Sequence, residues 1–336
     1  MKTLSKRLAQ GTIAVAFAIG FGAMNTVDAK SLKLGLTNHP GDPAFEGSVR
    51  LAERVKKDTG GRVEIKVFGR GELGNNRKLF AQVRSGAIEM AIVPFGVLSD
   101  VVPEVTATLG GFFYDDWKEL KSVLDAPQFG LAWNKKMVEA AGIRILGTWF
   151  QGARQVTMTK KAPRSPAEFS GVKLRAVPNP ISLATVRGIG ANPTPVPFPE
   201  VFGALRQGIV DGQENPVGTI NSAKLYEVQK YLILTGHQRQ ALPWLINERA
   251  WKKLDAKDQA AITTAAKDVS AWASDYALGL EKNLVGELEK KGMTIVRLSD
   301  SEAAAFRKSV RAETRTTFDG KIWPKGLMDE ILKFVE

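Results

Sequence analysis

Cysteine is absent from the 336-residue chain, and histidine occurs only twice, as His39 and His237. The first absence excludes disulfides, thiolate metal sites and cysteine nucleophiles together. The second leaves little for a zinc centre, because neither ring belongs to a His-Glu-x-x-His pair or similar ligand spacing. No Gly-x-Ser-x-Gly elbow is present, so serine-hydrolase chemistry lacks its usual frame. Internal repeats, low-complexity tracts and loose linkers are missing as well. Beyond residue 29, no apolar stretch is long enough to cross a bilayer. The sequence implies neither a metal nor a cofactor.

Basic residues, 47 of them against 35 acidic, give a net charge of +12. They are scattered, and clusters such as Lys135-Lys136, Lys160-Lys161 and Lys252-Lys253 are only pairs. That pattern predicts a solvated basic surface with a mild pull on anions, not a nucleic-acid interface. The first 29 residues differ in kind. Lys2, Lys6 and Arg7 precede an apolar stretch from Leu8 to Met24, and Val27-Asp28-Ala29 supplies small residues at a cleavage site. This is the pattern of a secretory leader cut after Ala29, and it predicts a periplasmic protein.

Strand and helix patterns alternate along the remainder, which predicts an α/β architecture. Strands are expected at 31–36, 63–68, 89–94, 143–149, 155–159, 172–176, 231–235 and 244–247. Helices are expected at 45–59, 75–84, 117–124, 128–140, 181–189 and 200–207. Ser165-Pro166-Ala167-Glu168 resembles a capping box opening a short helix, and 192–199 reads as a proline-rich spacer. Asp255 opens a long helical pattern over 257–291, long enough to brace two domains. Ser299-Asp300-Ser301-Glu302 caps one more helix.

Gly69-Arg70-Gly71-Glu72-Leu73-Gly74 matches the G-x-G-x-x-G spacing between a strand and a helix. The acid that would hold a ribose should close the next strand, whereas Glu89 opens it, so a tight strand-to-helix turn is the better reading. His39, in the loop Asn38-His39-Pro40-Gly41-Asp42-Pro43, is a candidate for structuring the loop or touching a ligand. As a catalytic base it has no visible partner. Arg154 and Arg175 are stronger leads. Arg175 ends the strand 172–176, just before Val177-Pro178, where open α/β sheets present groups to ligands. A guanidinium there can hold a carboxylate through two parallel hydrogen bonds. An ordinary surface arginine is the competing reading.

Four strings carry a resemblance. They are Leu174-Arg175, Gly190-Ala191-Asn192-Pro193-Thr194-Pro195-Val196-Pro197-Phe198, Gly208-Ile209-Val210-Asp211-Gly212-Gln213-Glu214-Asn215-Pro216 and Tyr226-Glu227-Val228-Gln229-Lys230-Tyr231. Together they resemble the substrate-binding subunit of tripartite ATP-independent periplasmic (TRAP) transporters, the dicarboxylate-binding-protein (DctP) type, over essentially the whole mature chain. The resemblance implies a two-domain periplasmic-binding-protein fold of the Venus-flytrap kind, with a long helix bracing both domains. One domain would comprise 30–152 and 238–280, the other 153–237 and 281–336. The resemblance further implies a monomer that closes on a small carboxylate and delivers it to the transporter's membrane subunits, without catalysis.

By the same resemblance Arg175 clamps the carboxylate, Arg154 and Asn215 assist, and Phe198 packs on the ligand body. Glu214 sits in the same run, which reads as a turn, and Val177 and Asn76 are further contact candidates. In the first domain Ile92-Val93-Pro94-Phe95-Gly96 departs from the sialic-acid branch of the family. Pro94 and Phe95 donate no side-chain hydrogen bonds, which favours a shorter or partly apolar acid. Asp42, Arg70 and Arg77 are candidates for the ligand's distal end, either arginine for a second carboxylate. Which acid is bound stays open, among four-carbon dicarboxylates, 2-oxo acids, aromatic acids and sugar acids. An exported enzyme using His39 or Asp42 as base is the rival reading.

Overall fold

The computed structural model describes residues 29–336; the leader assigned above lies, apart from Ala29, outside the described residues. Nine strands form one mixed sheet: β1 (Lys30–Gly35), β2 (Val63–Phe68), β3 (Met90–Ala91), β4 (Ile143–Met158), β5 (Lys173–Ala176), β6 (Asn192–Pro195), β7 (Gly212–Pro216), β8 (Tyr231–Asn247) and β9 (Thr294–Arg297). Their order is β2-β1-β3-β8-β4-β7-β5-β6, with β9 added alongside β8. Helices cover both faces, so the α/β class expected from the sequence is the one observed.

Two strands differ from expectation in an informative way. Segments 143–149 and 155–159 are one 16-residue strand, and 231–235 and 244–247 are one 17-residue strand. β4 and β8 pair antiparallel from Ile143↔Asn247 to Met158↔Tyr231 and thread both halves of the molecule. The apolar pattern breaks in their middles because Gln151, Arg154, His237, Gln238 and Gln240 sit there, all buried. Burying polar side chains is costly unless they are satisfied, so a polar centre in a buried strand marks a site rather than a loop.

The ladder is irregular at that point, with register shifts at Phe150/Gly152 and Arg154/Val156. Gly152 has φ 132°, and a Cβ on it would lie 2.7 Å from Pro216 Cβ. The carboxylate of Glu281, from the helix behind, accepts the neighbouring Ala153 N–H. Gly152→Ala should therefore destabilise the protein by roughly 1–3 kcal/mol, the usual range for a side chain held in such backbone. Urea denaturation checks this, and an unchanged midpoint would show the bulge to be slack.

Four apolar clusters form the core. On one face of the first half Leu34, Leu51, Val55, Trp149 and Trp244 pack together, and Ile262 and Val269 of the helix Ala256–Lys290 join them. On the other face Leu79, Val83, Phe95, Leu120 and Trp133 pack with Leu245. Leu327, Met328 and Ile331 of the C-terminal helix Leu327–Val335 return to that same cluster. In the second half Leu174, Val186, Phe306 and Val310 form one cluster, and Val201, Ile220, Leu232 and Leu288 another. The helix Ala256–Lys290 spans about 50 Å at 1.5 Å per residue. It places Val269 in a first-half core and Leu288 in a second-half core, so it braces both. Asp255 caps it and Ser299 caps the helix Asp300–Phe318 through a full capping box.

Smaller departures have local causes. Residues 192–195, with two prolines, make the edge strand β6, where a missing N–H is tolerated. Pro166–Phe169 winds as a 3₁₀ turn, with Ser165 Oγ bonded to the Glu168 carboxylate at 3.0 Å. The run Gly212–Pro216 is a fully buried strand between β4 and β5, not a turn.

Candidate functional site

The polar centres of β4 and β8, the ends of β5 and β7, and the loops after β1 and β3 converge on one cavity of about 40 Å³. Arg154, Arg175, Asn215, Phe198, Val177, Asn76 and Pro94 line it. So do Thr37, Asn38, Gln151, Thr219 and Gln240, with Ile92 and Leu242 as apolar wall.

Arg175 stands on β5, whose parallel neighbours β6 and β7 leave its carboxyl end facing the cavity. It is 1% exposed. Its Nε donates to the Val196 carbonyl at 2.9 Å, and Nη1 is buried without any partner. Burial lowers its pKa to about 10, Glu214 opposing the shift and Arg154 adding to it, so it remains charged at neutral pH. A buried guanidinium with an unpartnered N–H is a costly arrangement, and an anion is the group that relieves it.

Arg154, in contrast, is neutralised. Its Nε and Nη2 grip both carboxylate oxygens of Glu214, and Nη1 donates to Gln240 Oε1 at 2.6 Å. Burial alone would raise the Glu214 pKa, but the Arg154 charge and hydrogen bonds from His237 and Arg154 outweigh it and hold it at about 2. His237 Nε2 lies 3.3 Å from Glu214, and its Nδ1 is 2.8 Å from Thr235 Oγ. Burial lowers the His237 pKa despite the nearby carboxylate, which fits a neutral ring donating from Nε2 and accepting from Thr235. Of the two arginines lining the cavity, Arg175 is therefore the one without a paired carboxylate.

A chain of buried amides and hydroxyls steadies Asn215. Asn215 Nδ2 donates to Gln213 Oε1 at 2.5 Å, Gln213 to Thr157 at 2.8 Å and Thr157 to Gln229 at 2.9 Å. The Gln213 and Gln229 of the recognised strings thus serve the asparagine from behind.

Phe95, His39, Glu214, Asp42, Arg70 and Arg77, all sequence candidates, do not line the cavity. Phe95 is buried in the first-half core and borders a separate cavity of about 640 Å³ behind it, because Pro94 turns the chain into a 3₁₀ helix there. His39 packs edge-on against Phe198, ring centroids 6.2 Å apart, and supports that ring from outside. Glu214 is spent on Arg154. Arg77 donates to the Pro178 carbonyl across the mouth at 3.1 Å, and neither it nor Arg70 reaches the lining. Gly71 closes the same mouth, since a Cβ there would lie 2.9 Å from Pro199 Cγ. Gln151, Thr219, Gln240 and His237 escaped the sequence reading; the polar interruption of two otherwise apolar strands was the signal that could have found three of them.

Among the described residues no group of three or more His, Asp or Glu could hold a metal, and no helix is long and apolar enough to cross a membrane. Residues 34–321 match the family model DctP, bacterial extracellular solute-binding protein, family 7. An uncharacterized protein of Sinorhizobium fredii is 32% identical over 295 residues, 88% of this chain, which spans only 54% of that longer protein. A TRAP periplasmic solute-binding protein from Polaromonas, solved with D-erythronate, is 30% identical with a TM-score of 0.84, covering 91% of this chain and 98% of its own. Another from Sulfurospirillum deleyianum, solved with succinate, is 26% identical with a TM-score of 0.82, covering 91% and 98%. The architecture, the buried arginine at the strand end and the match along nearly the whole described chain agree: this protein belongs to the DctP family of extracellular solute-binding proteins, the substrate-binding subunits of TRAP transporters.

Proposed function

We propose that this protein captures a small organic acid in the periplasm by hinge closure, holds its carboxylate on Arg175, and delivers it unchanged to TRAP membrane subunits. The observation that carries the reading is the buried, unpartnered Nη1 of Arg175 in a cavity whose other lining arginine is paired with Glu214. Arg154 and Asn215 flank the carboxylate, and Phe198 with Val177 covers its carbon body. Binding is an equilibrium between open and closed forms that the ligand biases through contacts made only on closure. The moving bodies are residues 30–152 with 238–280, and 153–237 with 281–336 apart from the C-terminal helix. The C-terminal helix Leu327–Val335 travels with the first, since its apolar face packs there. β4 and β8 form the hinge. Contacts of Arg77 with Pro178 and Gly71 with Pro199 close the mouth, and the small cavity suits a short acid. The protein works as a monomer.

The test is a melting-temperature screen of the mature protein against carboxylic acids and their amides, after unfolding and refolding to strip carried-over solute. A cognate acid at a hundred times its dissociation constant should add roughly 2.7 kcal/mol of stability. Its amide should add nothing, and the acid should be recovered chemically intact. Silence from every acid would sink the proposal.

A further inference from the structure

Asp42 is the one carboxylate buried against the cavity wall with no cation to balance it. It caps the helix Pro43–Asp58, is 0% exposed, and takes all its hydrogen bonds from neutral groups. Oδ1 accepts from the Ala44 N–H at 2.9 Å and from Gln151 Nε2 at 2.7 Å, and Oδ2 accepts the Thr219 hydroxyl at 2.7 Å. Burial raises its pKa, while the bonds from Gln151, Thr219 and Ala44 oppose the rise. Gln151 and Thr219 both line the cavity, so Asp42 fixes what that wall can offer a ligand.

We infer that Asp42 is a specificity-determining residue that selects acids with one carboxylate and a hydroxyl group over dicarboxylates; the inference rests on the carboxylate-binding reading above. With its proton committed to Asp42, Thr219 leaves only a lone pair for the cavity, and Gln151 directs its N–H groups to Asp42 and, at 3.4 Å, to Thr219 Oγ. A ligand hydroxyl can donate to such a wall, but a carboxylate, which only accepts, cannot. The cations agree. Of the two arginines lining the cavity, Arg154 is occupied by Glu214 and Arg175 is free to take a carboxylate, while Arg77 is held by Pro178 and Arg70 lies outside the lining.

Asp42→Asn separates this role from simple scaffolding. Asparagine also caps helices well, and its Oδ1 can keep the bonds from Ala44 and Gln151. Its amide, however, donates to Thr219, which turns the threonine proton toward the cavity. Calorimetric titration with D-erythronate and succinate, both four-carbon acids, reads the result. Wild type should bind erythronate at least tenfold more tightly than succinate, and the variant should shrink that ratio at least tenfold. Thr219→Val is the second variant, expected to weaken erythronate selectively. Equal weakening of both acids by Asp42→Asn, or a wild-type preference for succinate, overturns the inference and leaves the carboxylate reading standing. If neither these acids nor any other binds wild type, the carboxylate reading falls and takes the inference with it.

Discussion

Arg175→Met is expected to lose ligand affinity by more than a hundredfold while the ligand-free protein melts no lower than wild type. The two halves of this expectation come from one fact. With no carboxylate beside it Nη1 of the buried guanidinium has no partner, so its desolvation is only partly offset, by Val196 and the Glu214 charge. Methionine fills a similar volume without that penalty. In the complex the order reverses, because the bound carboxylate loses its only free charged partner. Removing one partner of a buried, hydrogen-bonded charge pair costs about 3–5 kcal/mol, and each 1.4 kcal/mol is tenfold in affinity. Arg175→Lys should fall between, keeping charge but not the paired N–H geometry. Calorimetry for binding and a melting curve for the apo form check both halves. Binding by the methionine variant within threefold of wild type would remove Arg175 from the site.

Glu214→Gln should produce the opposite division, a large loss of stability that added ligand partly restores. Among the described residues Glu214 is the only anion paired with Arg154, and both are buried. Removing it leaves two adjacent guanidiniums uncompensated, which is expected to destabilise the fold by about 3–5 kcal/mol. A bound carboxylate then balances part of the excess charge, so the ligand-induced rise in melting temperature should be larger in the variant than in wild type. The pH dependence has a definite sign. The carboxylate is held at about 2 in the folded protein, below its ordinary value of 4.5, so the group's contribution is complete above pH 4.5 and is lost as pH falls toward 2. The glutamine variant lacks this component across that window. Urea midpoints at pH 7 and pH 3 for both proteins read it directly, and parallel losses in the two would show that Glu214 does not titrate as described.

The sequence was most legible where one periodicity ran unbroken. The helix Ala256–Lys290 and its Asp255 cap, the strand Val63–Phe68 and the Ser299 capping box were readable because local chemistry and tertiary burial agree there. Legibility failed at the middle of β4 and β8. Gln151, Arg154, His237 and Gln240 look like surface residues to any pattern of polarity, yet they are buried because they serve the cavity and one another. The same conflict misplaced Gly212–Pro216, a buried strand written in turn-forming residues and held by its ladder to β4. Arg175 itself stood out only through its strand-end position and the strings around it. Asp42 was visible as a candidate, but its partners, Gln151 and Thr219, lie 109 and 177 residues away, a separation no local pattern encodes.

The shared pair of long strands has a consequence for how the chain acquires its shape. β3 finds its second neighbour only in residues 245–246 of β8, and β4 meets β7 only after residue 212 has been made. Neither half can complete its sheet from its own contiguous stretch of sequence. Pairings so distant along the chain are slow to form, so most of the polypeptide must be available before either half can settle. Cutting the gene near codon 150 should therefore yield two insoluble fragments, not two small proteins.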